Sequence, residues 1–166
     1  IGLKPGEEIT VKDLLYGMLM PSGNDAAFTL ARHGQTVEDF VKLMNNKSAE
    51  LGLRDTVFFG PAGLDDRGRS SAHDVAILFS HALNYGLFKE IVSTGEADIY
   101  STDGQIQHHL KNSNRLTTQE IPMDGIIGGK TGFTLDAGHT LVSAAERNGV
   151  RLISVILNTT ANTKTA

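Results

Sequence analysis

The chain has 166 residues, of which 40% are hydrophobic and 20% are charged, and its formal net charge at pH 7 is −4. These values suit a soluble globular domain, or part of a larger one, and they argue against disorder and against nucleic acid as a partner. The lack of cysteine excludes disulfide bridges, a thiol nucleophile and a Cys-ligated zinc site. No apolar run approaches the roughly 18 residues that span a membrane.

The chain opens with a well-marked helix. Thr10 and Asp13 form a capping box before apolar residues that recur at helical spacing as far as Leu19. Pro21 and Gly23 then predict the end of this helix and a tight turn. Ser22 therefore lies in a turn between two predicted helices.

Three more helices are predicted before residue 95. Asp25 can cap the second helix, Thr36 opens the third, and Ser71 opens a fourth that Gly86 is expected to end. Residues 60–68 are rich in Gly, Pro and Asp, which indicates an ordered loop. The segment 9–95 is thus predicted to be the helical part of the chain.

The pattern changes to strands over residues 96–158. A hairpin is predicted around residues 102–104, and Asn148-Gly149 signals a second tight β-turn. The apolar run 150–157 is typical of a strand covered on both faces, and the polar residues 158–166 are expected to fray. Helices first and strands last predict an α+β fold with helices beside an antiparallel sheet. The further predicted strands cover residues 99–101, 105–109, 126–134 and 139–145.

A candidate carboxylate site lies on the predicted strand 126–134. The ammonium of Lys130 and the hydroxyl of Thr131 can both donate hydrogen bonds to a carboxylate. Gly132 leaves room for a substrate beside the backbone, and the Phe133 amide can form half of an oxyanion hole. A chance tripeptide on a surface strand is the alternative interpretation.

Ser22-Gly23-Asn24 is the second candidate motif. The Ser22 hydroxyl can relay a proton between a lysine and a leaving group, and the Asn24 amide can orient that lysine and bind a substrate carbonyl. The same residues are also what a helix stop, a turn and a helix N-cap require. This motif alone therefore does not decide between catalysis and turn chemistry.

The order of the two motifs and several further segments resemble the low-molecular-mass penicillin-binding proteins of the serine D-alanyl-D-alanine carboxypeptidase type. The resemblance covers nearly all of residues 1–158. It implies a penicillin-binding protein/serine β-lactamase-like transpeptidase fold, with 1–166 forming part of a single catalytic domain. The segments that carry it are 4–15, 21–27, 63–65, 70–74, 112–116, 124–134, 137–138 and 151–155.

The resemblance implies a hydrolase that acts on peptidoglycan stem peptides ending in D-Ala-D-Ala. It forms an acyl-enzyme, is acylated by β-lactam antibiotics and needs no metal or organic cofactor. It implies Ser22 as proton relay, Asn24 as organiser, Lys130 and Thr131 as carboxylate ligands, and Gly132 with Phe133 beside the scissile bond. It also implies an extracytoplasmic place in a bacterial cell envelope.

One departure from the family pattern concerns the nucleophile. No serine in the chain is followed three residues later by lysine, so the nucleophile and its general base are predicted to lie outside this chain. The chain is therefore expected to be incomplete at both ends and inactive alone. It is also expected to associate with the missing segment or with another copy.

Two other functions stay open at this point. A serine β-lactamase shares the superfamily, but class A enzymes carry Ser-Asp-Asn where this chain has Ser22-Gly23-Asn24. A non-catalytic cell-wall-binding module is the second alternative. A metal site is not predicted, because His108 and His109 are adjacent on a predicted strand and face opposite ways.

Overall fold

Helices and strands are separated along the chain in this computed structural model, which describes residues 1–160. Five helices precede five strands within that part of the chain, so the predicted α+β class is confirmed. None of the described helices is long and apolar enough to cross a bilayer. The helices are α1 (Val11–Leu19), α2 (Asn24–Ala31), α3 (Val37–Glu50), α4 (Ala72–Ala82) and α5 (Gly86–Ser93). The strands are β1 (Glu96–Tyr100), β2 (Gln107–Lys111), β3 (Ile126–Thr134), β4 (Gly138–Arg147) and β5 (Val150–Thr159).

Three helices begin as predicted from their capping residues. The side chains of Thr10, Thr36 and Ser71 each accept a hydrogen bond from the backbone N–H three residues later, at the start of α1, α3 and α4. Each such bond satisfies one of the N–H groups that the first helical turn leaves unpaired.

The predicted cap of α2 is wrong. The N-cap is Gly23, and Asp25 lies inside the first turn of the helix. The carboxylate of Asp25 instead accepts hydrogen bonds from the backbone N–H groups of Gly2 and Leu3. A contact across 22 or 23 residues therefore replaces the local cap that the sequence suggested.

The fifth helix was not predicted, since Gly86 was expected to end α4. Gly86 instead begins α5, after the N-cap residue Tyr85. The apolar face of α5 is fully buried at Ile91 and Val92. Burial of that face outweighs the low helix propensity of glycine.

The strands form two antiparallel sheets in the described chain. β1 and β2 make the predicted hairpin, while β3, β4 and β5 form a three-stranded sheet in that order. The sheet has a register irregularity between Ile126 and Gly128. Within the described residues β3 thus lies at one edge of the sheet.

The expectation that β5 is covered on both faces is wrong for the described residues. Ile153 and Val155 pack on the helices, but Leu152 is 70% exposed and Ile156 is 47% exposed. The reason is that only one face of this edge strand has helices against it. Asn158 and Thr159 continue the strand rather than fray, and residues 161–166 lie outside the described residues.

Two hydrophobic clusters hold the site elements in place. One joins α4 and α5 to the three-stranded sheet, around Phe79, Val92 and Val142. The other joins α1 and α5 to the hairpin, around Met20 and Ile91. Because α5 belongs to both clusters, it fixes the position of α1 relative to the sheet.

Candidate active site

An open cleft of about 900 Å³ lies between the α1–α2 turn and strand β3. The loop 62–64, the segment 113–116 and residues of β4 and β5 also line it. The structure therefore brings together residues that lie as much as 137 positions apart (159 − 22 = 137), from Ser22 to Thr159. All six residues that the sequence singled out line this cleft: Ser22, Asn24, Lys130, Thr131, Gly132 and Phe133.

The turn that carries Ser22 is pressed against α1. The N–H of Gly23 donates to the carbonyl of Gly17 at 3.0 Å, and a Cβ at position 23 would lie 2.7 Å from that same oxygen. Ser22 adopts a backbone φ of 65°, a value that residues other than glycine rarely adopt. Backbone strain at a serine is a feature of functional turns. Ser22 and Asn24 are both exposed to the cleft.

Strand β3 is packed tightly enough to need its glycines. A Cβ on Gly129 would lie 2.5 Å from Asn114 Nδ2 and 2.6 Å from Ser143 Oγ. A Cβ on Gly132 would lie 2.5 Å from Thr140 Oγ1. The small residues on either side of Lys130 and Thr131 thus let neighbouring elements approach the strand closely.

Lys130 is a half-buried cation with no described carboxylate within ion-pair distance. Its Nζ donates to the Thr131 carbonyl at 2.8 Å, and burial lowers its pKa from 10.5 to about 8. The described residues that line the cleft include Arg115 but no aspartate or glutamate. The electrostatics of the cleft therefore favour an anionic ligand.

Phe133 lies at the rim of the cleft and is 58% exposed. Its ring lies beside that of His139, with centroids 4.5 Å apart and planes 33° apart. The two residues are directly opposite each other in the β3–β4 pairing. Stacking on His139 holds an otherwise exposed aromatic side chain beside the predicted oxyanion-hole amide.

Sequence reasoning missed Ser113, which contacts both walls. Its backbone N–H donates to the Met20 carbonyl at 3.0 Å, and its hydroxyl donates to the same carbonyl at 3.2 Å. The hydroxyl oxygens of Ser113 and Thr131 lie 2.5 Å apart. The only sequence signal for this residue is its place in the family-like segment 112–116.

The loop that presents Ser113 is built by its own asparagines. Asn112 donates to the Thr94 carbonyl and accepts from the N–H of Asn114. Asn114 in turn accepts from the N–H of Leu116, and both asparagines are buried. These bonds hold an irregular backbone in one conformation beside β3.

The two histidines of β2 face opposite ways, as predicted. His108 is buried and lies 2.6 Å from Glu7, whereas His109 is exposed and lies 2.8 Å from Asp98. Burial opposes ionisation of Glu7, but hydrogen bonds from the Lys4 backbone and from His108 lower its pKa overall. Neither histidine lines the cleft, and residues 1–160 contain no cluster of three or more metal-ligating side chains.

Residues 1–161 match the family model for D-alanyl-D-alanine carboxypeptidase, peptidase family S11. The chain belongs to this family. Among curated members, DacF of Bacillus subtilis is 39% identical over 158 residues, and DacB2 of Mycobacterium tuberculosis is 41% identical over 162 residues. These alignments cover 94% and 95% of the chain but 40% and 53% of the relatives. The chain therefore spans about half the length of the curated relatives it matches.

Solved structures of the family share the fold. A D-alanyl-D-alanine carboxypeptidase from M. tuberculosis H37Rv matches with a TM-score of 0.88 and 38% identity, over 98% of this chain and 61% of the other. The Streptomyces K15 DD-transpeptidase matches with a TM-score of 0.86 and 34% identity, over 96% and 64% of the two chains. The penicillin-binding protein-like fold inferred from the sequence is thus confirmed.

Proposed function

We propose that these residues form the substrate-binding and proton-relay part of a serine D-Ala-D-Ala carboxypeptidase. Lys130 carries this proposal, because it is a half-buried cation in a cleft whose described lining contains no acidic residue. A cation that is partly removed from water and has no counter-charge favours the binding of an anion. The terminal carboxylate of a D-alanyl-D-alanine peptide is such an anion, and the names of the relatives agree with it.

The wall of the cleft that β3 forms, called the strand wall below, binds the substrate. The Lys130 ammonium and the Thr131 hydroxyl hold the terminal carboxylate through charge-assisted hydrogen bonds. Gly132 lets the extended peptide lie against the open edge of β3, in the manner of an added strand. The backbone N–H of Phe133 stabilises the negative charge that develops on the scissile carbonyl oxygen.

The wall of the cleft that the α1–α2 turn forms, called the helical wall below, carries out the proton transfer. Ser22 passes the proton of the attacking serine to the nitrogen of the departing D-alanine, and Asn24 orients the general base and the substrate carbonyl. The peptide bond breaks as the acyl-enzyme ester forms, and water then hydrolyses the ester. Residues outside this chain supply the nucleophile and its lysine, since no Ser-x-x-Lys occurs within it.

A class A β-lactamase fits the structure less well. A Cβ at position 23 would lie 2.7 Å from the Gly17 carbonyl, so an aspartate there would force the turn away from α1. The described lining of the cleft also lacks the glutamate that would activate a deacylating water. Both observations favour an enzyme that β-lactams acylate and that releases them slowly.

The setting of the reaction follows from its substrate. The relatives come from bacteria such as B. subtilis, M. tuberculosis and Escherichia coli, and peptidoglycan lies in the bacterial cell envelope, outside the cytoplasm. The proposed chemistry needs no metal or organic cofactor. The uncovered part of β5 around Val150 and Leu152, away from the cleft, is where a further part of the protein or another copy would associate.

A fluorescent penicillin tests the proposed function. The full-length gene product should form a covalent adduct that is stable to denaturation, and it should release D-alanine from a peptide ending in D-Ala-D-Ala. The 166-residue chain alone should form no adduct. Labelling of any serine in the isolated chain would contradict the placement of the nucleophile. A full-length protein that binds peptidoglycan without forming the adduct would favour the non-catalytic wall-binding module.

A further inference from the structure

Ser113 connects the two walls of the cleft, yet it belongs to neither motif. Its N–H and its hydroxyl both reach the Met20 carbonyl, two residues before Ser22, at 3.0 and 3.2 Å. Its hydroxyl oxygen is also 2.5 Å from that of Thr131. The Thr131 hydroxyl, which is proposed to bind the substrate carboxylate, is therefore in direct contact with a second hydroxyl.

The direction of the bond between these hydroxyls decides what Thr131 can do. A hydroxyl has one proton to donate and two lone pairs to accept. When Ser113 donates to the Met20 carbonyl, the proton of Thr131 must point at Ser113 and is not available to a ligand. When Ser113 donates to Thr131 instead, the proton of Thr131 is free to point into the cleft.

In the second arrangement, the backbone hydrogen bond between Ser113 and Met20 is kept. The Met20 carbonyl keeps the bond from the Ser113 N–H at 3.0 Å whichever way the hydroxyl points. Only the longer 3.2 Å hydroxyl bond is given up. A carboxylate accepts hydrogen bonds and donates none, and a bond to a charged acceptor is stronger than one to a neutral carbonyl. An anionic ligand thus favours the arrangement in which Thr131 donates to it.

We infer that Ser113 is a positioning residue whose hydroxyl turns from the Met20 carbonyl to Thr131 when a carboxylate binds, and thereby holds the Thr131 hydroxyl with its proton directed at that carboxylate. The change is a rotation of two hydroxyl groups, in which no covalent bond forms or breaks. This inference rests on the proposed function, because it takes the ligand to be a substrate with a free carboxylate terminus. It makes Ser113 responsible for selecting carboxylate-terminated ligands rather than for the acyl transfer itself.

Two probes that differ only in the carboxylate test this role on the full-length protein. Acylation rate constants are measured with benzylpenicillin and with its methyl ester, for the wild type and for the Ser113→Ala variant. The variant lacks the bond that Ser113 donates to the Thr131 oxygen in the liganded arrangement, so nothing fixes the direction of the Thr131 hydroxyl. It should acylate about 3- to 10-fold more slowly with the acid, the loss expected for one neutral hydrogen bond. The ester has no carboxylate to accept a hydrogen bond from Thr131, so its acylation rate constant should differ between variant and wild type by less than about twofold.

Matched variants separate positioning from structure. Ser113→Thr keeps the hydroxyl and should restore the rate with the acid, while Ser80→Ala, at an exposed position of α4, should change neither rate. In a Thr131→Val background, Ser113→Ala should have no further effect on the acid. If the Ser113→Ala variant unfolds at a markedly lower temperature than the wild type, it is replaced by Ser113→Cys, whose side chain is similar in size to serine and a weaker hydrogen-bond donor.

Each contrary outcome is distinct. Equal slowing with acid and ester would show that Ser113 only fixes the loop, and an unchanged rate with the acid would show that it has no role. A threonine variant as slow as the alanine variant would also overturn the inference. A wild type that reacts with neither probe would overturn the proposed function and this inference together.

Discussion

The two walls of the cleft hold their polar groups by different physical means. On the helical wall, Ser22 is exposed and depends on an unusual backbone conformation, with φ at 65°. On the strand wall, Gly129 is buried and Lys130 half-buried, so their positions depend on packing and on desolvation. Substitutions on the first wall should therefore act through the backbone, and those on the second through volume and charge.

The largest effect is expected on the strand wall, at Gly129. An alanine Cβ there would lie 2.5 Å from the Val142 carbonyl, which cannot move without breaking the β4 ladder. Gly129→Ala should lower the free energy of unfolding by about 3 kcal/mol, as measured by urea denaturation of the full-length protein. Gly60→Ala is the control, because no atom lies within 4 Å of a Cβ at that position. Similar losses in both variants would mean that packing is not what distinguishes the strand wall.

The charge of Lys130 should give the next largest effect, through pH. Burial lowers its pKa to about 8, so the ammonium that holds a carboxylate is present below pH 8 and is lost above it. Acylation by benzylpenicillin should therefore fall about fivefold between pH 8 and pH 9, following the charged fraction of one group. Lys130→Arg, whose guanidinium stays charged, should remove this fall even where its absolute rate is lower. A fall of the same size in the arginine variant would assign the titration to another group.

The smallest effect is expected on the helical wall, at Ser22. Ser22→Gly relieves the left-handed conformation that Ser22→Ala retains, but it also makes the unfolded chain more flexible. The glycine variant should therefore be more stable than the alanine variant by about 0.5 to 1 kcal/mol, measured from urea unfolding curves. Both variants lack the hydroxyl, so the difference reports the backbone alone. Equal stabilities would indicate that this turn is not strained.

Local signals predicted those elements whose stability is local. The caps at Thr10, Thr36 and Ser71 were readable because each bond spans three residues. Helix α5 was missed because Gly86 is a poor helix former, and its helix depends on the burial of Ile91 and Val92. β5 was misjudged because an apolar run does not tell which faces of a strand the fold covers.

The candidate site was predicted only in part, for the same reason. Lys130 and Ser22 lie in short motifs whose residue types indicate their chemistry, and both line the cleft. Ser113 lies in no such motif, and its contacts reach 18 residues forward to Thr131 and 93 residues back to Met20. Spacing and propensity carry no information about contacts at those separations.

The bonds between Ser113 and Met20 also bear on the order of events during protein synthesis. The two residues are 93 positions apart, and the contact between Glu7 and His108 spans 101 positions. At about 5 to 20 residues per second, Met20 leaves the ribosome roughly 5 to 20 s before Ser113. The Met20 carbonyl must therefore wait that long for Ser113, and β3 emerges later still. The cleft is thus assembled late, after most of the described chain has emerged.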